Sequence, residues 1–188
     1  MFRTSSDIDF LKTGEVTIDA DGIPVNLGYR GTGSPEGKVA APVGSVYTDS
    51  AATNGAIRWI KTSGTGSTGW RVEYGDTGWR NVSSELADVL ESGKVFFRRK
   101  GDTIDIATEW AKFIPTGSSQ MPAGFIPFRS DAVPFYSSAN LDTPVAIFRI
   151  AYTGAITINV FNDRFSANDQ STVITSAPWP TSLPGTPA

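Results

Sequence analysis

The chain has 188 residues, 39% hydrophobic and 19% charged, with 19 glycines and 12 prolines; this length suits one or two domains, and this punctuation favours short strands and turns over long helices. A formal net charge of -3 without a basic run argues against a nucleic-acid partner. The absence of cysteine and histidine removes disulfides, thiolate and imidazole metal ligands, and the commonest acid–base side chain.

The opening MFRTSSDIDFLKTG lacks a basic region followed by an apolar one, and no run of about 18 apolar residues occurs anywhere, so neither an export signal nor membrane insertion is expected. Residues 15–19, EVTID, alternate as a strand does, an Asp21-Gly22 turn follows, and residues 23–27 read as a second strand. So short a pair buries no core of its own and is expected to pack on a neighbour or dock to a partner. Residues 28–41, GYRGTGSPEGKVAA, read as a linker or extended arm. From Gly44 to Arg80 polarity alternates on both sides of a glycine-rich turn, which predicts a β-hairpin with Ile57, Trp59 and Lys61 on one face of its first arm. Setting Trp59 opposite Val72 brings Ile57 to Tyr74 and Arg58 to Glu73, whereas a one-residue slip opposes Arg58 and Val72. A further turn through Gly75-Asp76-Thr77-Gly78 reaches Trp79, so a meander carrying three tryptophans is expected.

Residues 82–92, VSSELADVLES, predict one short helix near 84–91, with Ser83 or Ser84 as cap, Leu86, Val89 and Leu90 on one side and Gly93 just past its end. Residues 95–107 predict a hairpin around Gly101-Asp102, a two-residue type II′ loop that sets Phe97 opposite Ile106 and Arg98 opposite Asp105. A second hairpin, 145–161, turns at Thr153-Gly154, and both its faces are partly apolar, as for strands covered on two sides. Between the hairpins, prolines 115, 122, 127, 134 and 144 predict loops and edge strands. A polar stretch, a strand at 172–175 and the tail APWPTSLPGTPA follow; the tail either packs through Trp179 or frays. The expected fold is all-β: N-terminal attachment strands and a glycine-rich arm (1–42), a β-meander module (43–82) and a jelly-roll-like C-terminal β-sandwich head (83–188).

The pattern APVGS-YTD, TNGA, W-K-SGTG-TGW-V-YGDTGWR, followed by WRNVSSELADVLESGKVFFRRKGDTIDI and later MPAGFIPFRS, resembles minor tail proteins and tail fibres of long-tailed bacteriophages, especially those of actinobacteria. The similarity covers roughly residues 35–127. It implies a virion protein at the tail tip or in a fibre, assembled in the host cytoplasm as a homotrimer. An N-terminal region joined to other tail proteins and a head that attaches to the host surface, by binding a cell-wall carbohydrate, are expected, with no enzymatic activity and no cofactor. The alternatives are a purely structural virion component, such as a capsid decoration or head-fibre protein, and a glycan-degrading tail enzyme.

Several motifs are weaker than they look. Gly64-Thr65-Gly66-Ser67-Thr68-Gly69 matches a dinucleotide fingerprint, yet a tryptophan-bearing strand follows where a helix is required, so a hairpin tip is the better reading. Asp19-Ala20-Asp21-Gly22 opens like a calcium loop, but the closing glutamate position holds Arg30 and no metal is expected. Pairs such as Asp105 and Glu109 are not distinguished from surface charge, so no catalytic residue is assigned. Aromatic faces complement the C–H surface of sugars, which draws attention to Trp59, Trp70, Trp79, Trp110, Trp179, Tyr136 and Tyr152, the meander tryptophans being better explained as core. A fibre held by its N-terminal end presents the opposite end to a cell, so ligand contacts are expected on head loops carried by the two hairpins. Those residues are Arg129, Asp131 and Tyr136 in the loop 128–140, and Asn162, Asp163, Arg164 and Asp169 in the loop 162–170.

Overall fold

The structure is a computed structural model that describes residues 28–137, 142–162, 167 and 169–188, together with the strand backbones at 16–18 and 24–26. Every regular element among the described residues is a strand. The chain divides into two compact units, Met1–Gly75 and Asp76–Ala188.

In the first unit β1 (Val16–Ile18) and β2 (Pro24–Asn26) pair antiparallel, as the alternation predicted. A four-stranded sheet follows in the order β3 (Gly28–Gly31), β4 (Val46–Asp49), β5 (Ala56–Lys61), β6 (Trp70–Gly75). The expected arm is therefore partly strand: β3 runs parallel to β4, and a Cβ on Gly31 would lie 2.5 Å from the Tyr47 hydroxyl.

The predicted pairing of Trp59 with Val72 is present, and Arg58 meets Glu73 in an ion pair of 2.7 Å. Ile57 does not meet Tyr74. Two register shifts intervene, so that Arg58 lies opposite Tyr74 and Ala56 opposite Gly75. The extra residues, Glu73 and Ile57, reverse the parity of both strands. Ala56, Trp59 and Lys61 are buried, while Ile57 and Tyr74 are exposed.

Lys61 shows how the glycine-rich tip is held. Its ammonium, in a residue only 1% exposed, donates to the carbonyls of Gly66, at 2.6 Å, and Thr68. It also stands 5.7 Å from the centre of the Trp70 ring, where a desolvated cation is attracted by the π face. The Glu36 carboxylate accepts the backbone N–H groups of Gly69 and Trp70, and the Trp70 indole donates to Val39. The tip is thus clamped by the segment expected to be a linker.

The second unit is a sandwich of two sheets. One has the order β14 (Gln170–Ile174), β9 (Thr103–Phe113), β8 (Leu90–Lys100), β7 (Arg80–Asn81), β15 (Thr186–Pro187). The other has the order β10 (Ser118–Gln120), β13 (Ala155–Val160), β12 (Ala146–Ile150), β11 (Asp131–Phe135), in which three hairpin-linked strands take a fourth beside the last of them, a Greek key. Val95, Phe97, Ile104 and Ile106 from the first sheet meet Phe135, Phe148, Ile156 and Ile158 from the second in one buried core. Phe148 makes edge contacts with Phe113 and Phe135 at centroid distances of 4.9 and 4.8 Å, pairs worth about 0.5–1.5 kcal/mol each beyond their area.

The hairpin β8–β9 has the predicted register, Phe97 opposite Ile106 and Arg98 opposite Asp105, and Gly101 takes the positive φ of 57° that its turn requires. The hairpin β12–β13 has the expected mixed outer face. One face is buried in the core, and the other carries half-buried Ile147 and Ala155 among the exposed Arg149, Thr157 and Asn159. The helix expected near 84–91 is absent: 83–89 form successive turns, bonded mainly three residues back, and β8 already begins at Leu90. Too few residues remain to nucleate a helix. Asn81, rather than a serine, accepts from the Ser83 N–H and hydroxyl, and Leu86 and Val89 enter the core all the same.

Trp79, expected in the meander, belongs to this second unit, beneath Arg98. Trp179 packs. Arg99, 3% exposed, lies 4.8 Å from its ring and donates to the carbonyls of Gly101, Gly124, Ala177 and Pro178. Arg80 donates to Pro184 and Gly185, fixing the tail as the edge strand β15.

Candidate functional site

The sandwich has two distinct ends. At one lie the Gly101-Asp102 loop, the start of β11 and the 151–154 turn; Phe128 there donates its N–H to Ile174, and Thr175 to Asp102. The chain enters the unit at this same end, because Asp76 bridges to Lys100 and Thr77 bonds Arg99. At the other end lie the close of β9, the close of β11 and the close of β13. Roughly 25 Å of strand separates Trp110 from the Gly101-Asp102 loop, at about 3.3 Å per residue.

The sequence-derived residues are split between these ends. Arg129 is exposed and Asp131, which accepts the N–H of Ala132, is half-buried at the entry end. Tyr136, Asn162 and Asp169 lie toward the far end, the length of β11 away. Tyr136 and Asp169 do come together, but through the backbone: one Asp169 oxygen accepts the Tyr136 N–H at 3.2 Å and the other the Gln170 N–H at 2.7 Å. Asp169 therefore ties β11 to β14 and acts as a structural bracket. Tyr136 is half-buried rather than fully exposed. Asp163 and Arg164 lie outside the described residues.

What the far end offers instead is built on β9. Ile104, Ile106 and Thr108 face the core, and simple alternation would send Trp110 inward and Phe113 outward. The register shifts: Lys94 pairs Glu109 and Ser92 pairs Lys112, so Trp110 and Ala111 together oppose Gly93. This bulge returns Ala111 and Phe113 to the core and leaves Trp110 64% exposed with φ at 51°. A left-handed backbone is ordinarily left to glycine at such a bulge, and costs a bulky residue about 1–2 kcal/mol. Gly93 is required across from it, since a Cβ there would sit 2.3 Å from the Trp110 carbonyl oxygen. The glycine expected to end a helix thus serves a bulge.

At the same end of the sandwich a small notch is lined by Glu91, Ala111, Lys112, Phe113, Val145, Val160 and Asn162, a set that does not include Trp110. Phe161, 58% exposed, precedes Asn162 in sequence. On the strand surface next to the bulge, Lys94 and Glu109 form an exposed ion pair of 3.1 Å. This end of the sandwich therefore carries an exposed aromatic side chain and, separately, a notch lined by both polar and apolar residues. The exposed indole is the feature that suits stacking on the C–H face of a ring-shaped polar molecule. Glu91 and Lys112 were missed from sequence. The available signal was the phase break between Ile104-Ile106 and Ala111-Phe113, with a glycine across the ladder.

Among the described residues no group of three or more acidic side chains converges as a metal site would. The fold and site define an all-β, two-unit protein whose distal sandwich end displays an aromatic side chain. Compared with protein-family models, curated proteins and solved structures, the chain matches none.

Proposed function

We propose that this chain is a bacteriophage tail or fibre component that attaches the virion to host-surface carbohydrate by binding alone. The carrying observation is Trp110: a large aromatic side chain held outward by a costly backbone at the end of the sandwich opposite chain entry. Strain of this kind persists where the surroundings impose it, and it accumulates at sites that bind. The sequence resemblance points the same way, since a fibre anchored through its N-terminal part offers its distal end to the cell. Phe128, Tyr152 and Ile174, each about two-thirds exposed at the entry end, favour a second role for that end in docking within the virion. The deciding experiment is sedimentation of the full chain with bacterial cell walls. Binding should be lost in Trp110→Ala, and undiminished binding by that variant sinks the assignment of this site.

A further inference from the structure

We propose that Asn54 is a self-modification site, converted to aspartate and isoaspartate in the folded chain when the Gly55 backbone nitrogen attacks its side-chain amide. Of the seven asparagines, Asn54 is the one followed by glycine; the others precede leucine, valine or aspartate, whose side chains crowd the attacking nitrogen. The pair lies in the turn between β4 and β5, half-buried among exposed Ser50, Ala51 and Thr53, so water and hydroxide reach it.

The turn places the reacting groups. Asn54 Oδ1 accepts the N–H of Ala56 at 3.2 Å, an Asx turn that folds the side-chain carbonyl over the peptide bond between residues 54 and 55, toward the Gly55 nitrogen. The same Ala56 N–H is a fixed donor at the oxygen on which negative charge develops during the attack. The Gly55 N–H, in turn, is bonded to the Ala52 carbonyl at 2.9 Å and must be released. Ala52 sits at φ 46°, a left-handed value that alanine disfavours, so opening this turn relieves strain as it frees the nitrogen.

In the reaction hydroxide removes the Gly55 amide proton, the nitrogen bonds to Asn54 Cγ, and Nδ2 leaves as ammonia, closing a five-membered succinimide. Water then opens the ring. Cleavage between the nitrogen and Cγ leaves aspartate; cleavage between the nitrogen and the main-chain carbonyl carbon of Asn54 leaves isoaspartate, which adds a methylene to the main chain just ahead of buried Ala56. Either product carries one new negative charge.

The test incubates the full chain at neutral and at mildly alkaline pH, in native buffer and in urea, and follows it by ion-exchange chromatography and peptide mass. An acidic form should accumulate, with a gain of about 1 Da confined to the peptide holding Asn54. Its rate should rise with pH and be at least as high in native buffer as in urea. Asn54→Ser, which keeps an oxygen acceptor for the Ala56 N–H and has no amide to lose, should not form it. No mass gain at Asn54 in native buffer, a gain slower there than in urea, or an acidic form that arises equally fast in Asn54→Ser overturns the proposal.

Discussion

Trp110 and Gly93 are two halves of one device. The tryptophan occupies a backbone region that asparagine or glycine tolerates better, and the glycine opposite is held at φ 86° with no room for a methyl. Their substitutions should therefore diverge. Trp110→Asn is expected to hold the melting temperature within about 2 °C of the parent, in keeping with an exposed position relieved of strain, while abolishing cell-wall binding. Gly93→Ala is expected to lower stability by about 2–4 kcal/mol in denaturant titration, because both φ and the Trp110 carbonyl oppose the added carbon. A large loss of stability in Trp110→Asn would mean that the indole is held for packing and not for display.

Among the strands, two buried or half-buried carboxylates link segments that would otherwise be loose. Burial by itself pushes Asp49 upward, but the N–H groups of Gly33, Ala51 and Ala52, with the charge of Lys38, outweigh it and hold the group below the usual carboxylate range. For Asp76 the hydrogen-bonded Arg98 guanidinium is the largest influence and lowers it; burial opposes, and Gly78 and Lys100 assist. A native value below the unfolded value of about 3.9 stabilises the fold above that pH, and the contribution disappears as pH falls through the native value. The melting temperature should accordingly drop as pH is lowered from about 5 toward 2. Asp76→Asn should be less stable than the parent at neutral pH by about 1 kcal/mol or less, the pair being partly exposed, and the gap should close in acid. A gap that widens in acid would contradict the assigned sign.

For the whole molecule, the outer face of β12–β13 mixes Ile147 and Ala155 with Arg149, Thr157 and Asn159. Of the large apolar side chains exposed in the second unit, Trp110 and Phe161 lie toward the far end, while Phe128, Tyr152 and Ile174 gather at the entry end, where association through a closed symmetry is the economical way to cover them. Light scattering should give three times the 20.1 kDa chain mass. Replacing Phe128 and Tyr152 with serine should shift the protein toward monomer. A monomer for the parent at micromolar concentration sinks the trimer. Three weak sugar sites presented together would bind a glycan surface about a hundredfold more tightly than one, so the monomeric variant should release cell walls readily while its single-site affinity stays the same.

The all-β class, the strand at 16–18, the partnership of Trp59 with Val72 and the register around Gly101-Asp102 were determined by the sequence itself, because turn chemistry and period-two alternation act between residues near one another in the chain. The parity changes at Ile57, Glu73 and Trp110 were decided only by tertiary structure, as were the burial of Lys61, the bracket role of Asp169 and the packing of Trp179. Each depends on what covers a side chain: the carbonyls and indole that receive an ammonium, the glycine across a ladder, the arginine that grips a tail. Such partners are distant in sequence, and an extra residue in a strand is favoured only once the core beyond it, here Ala111 and Phe113, has been filled.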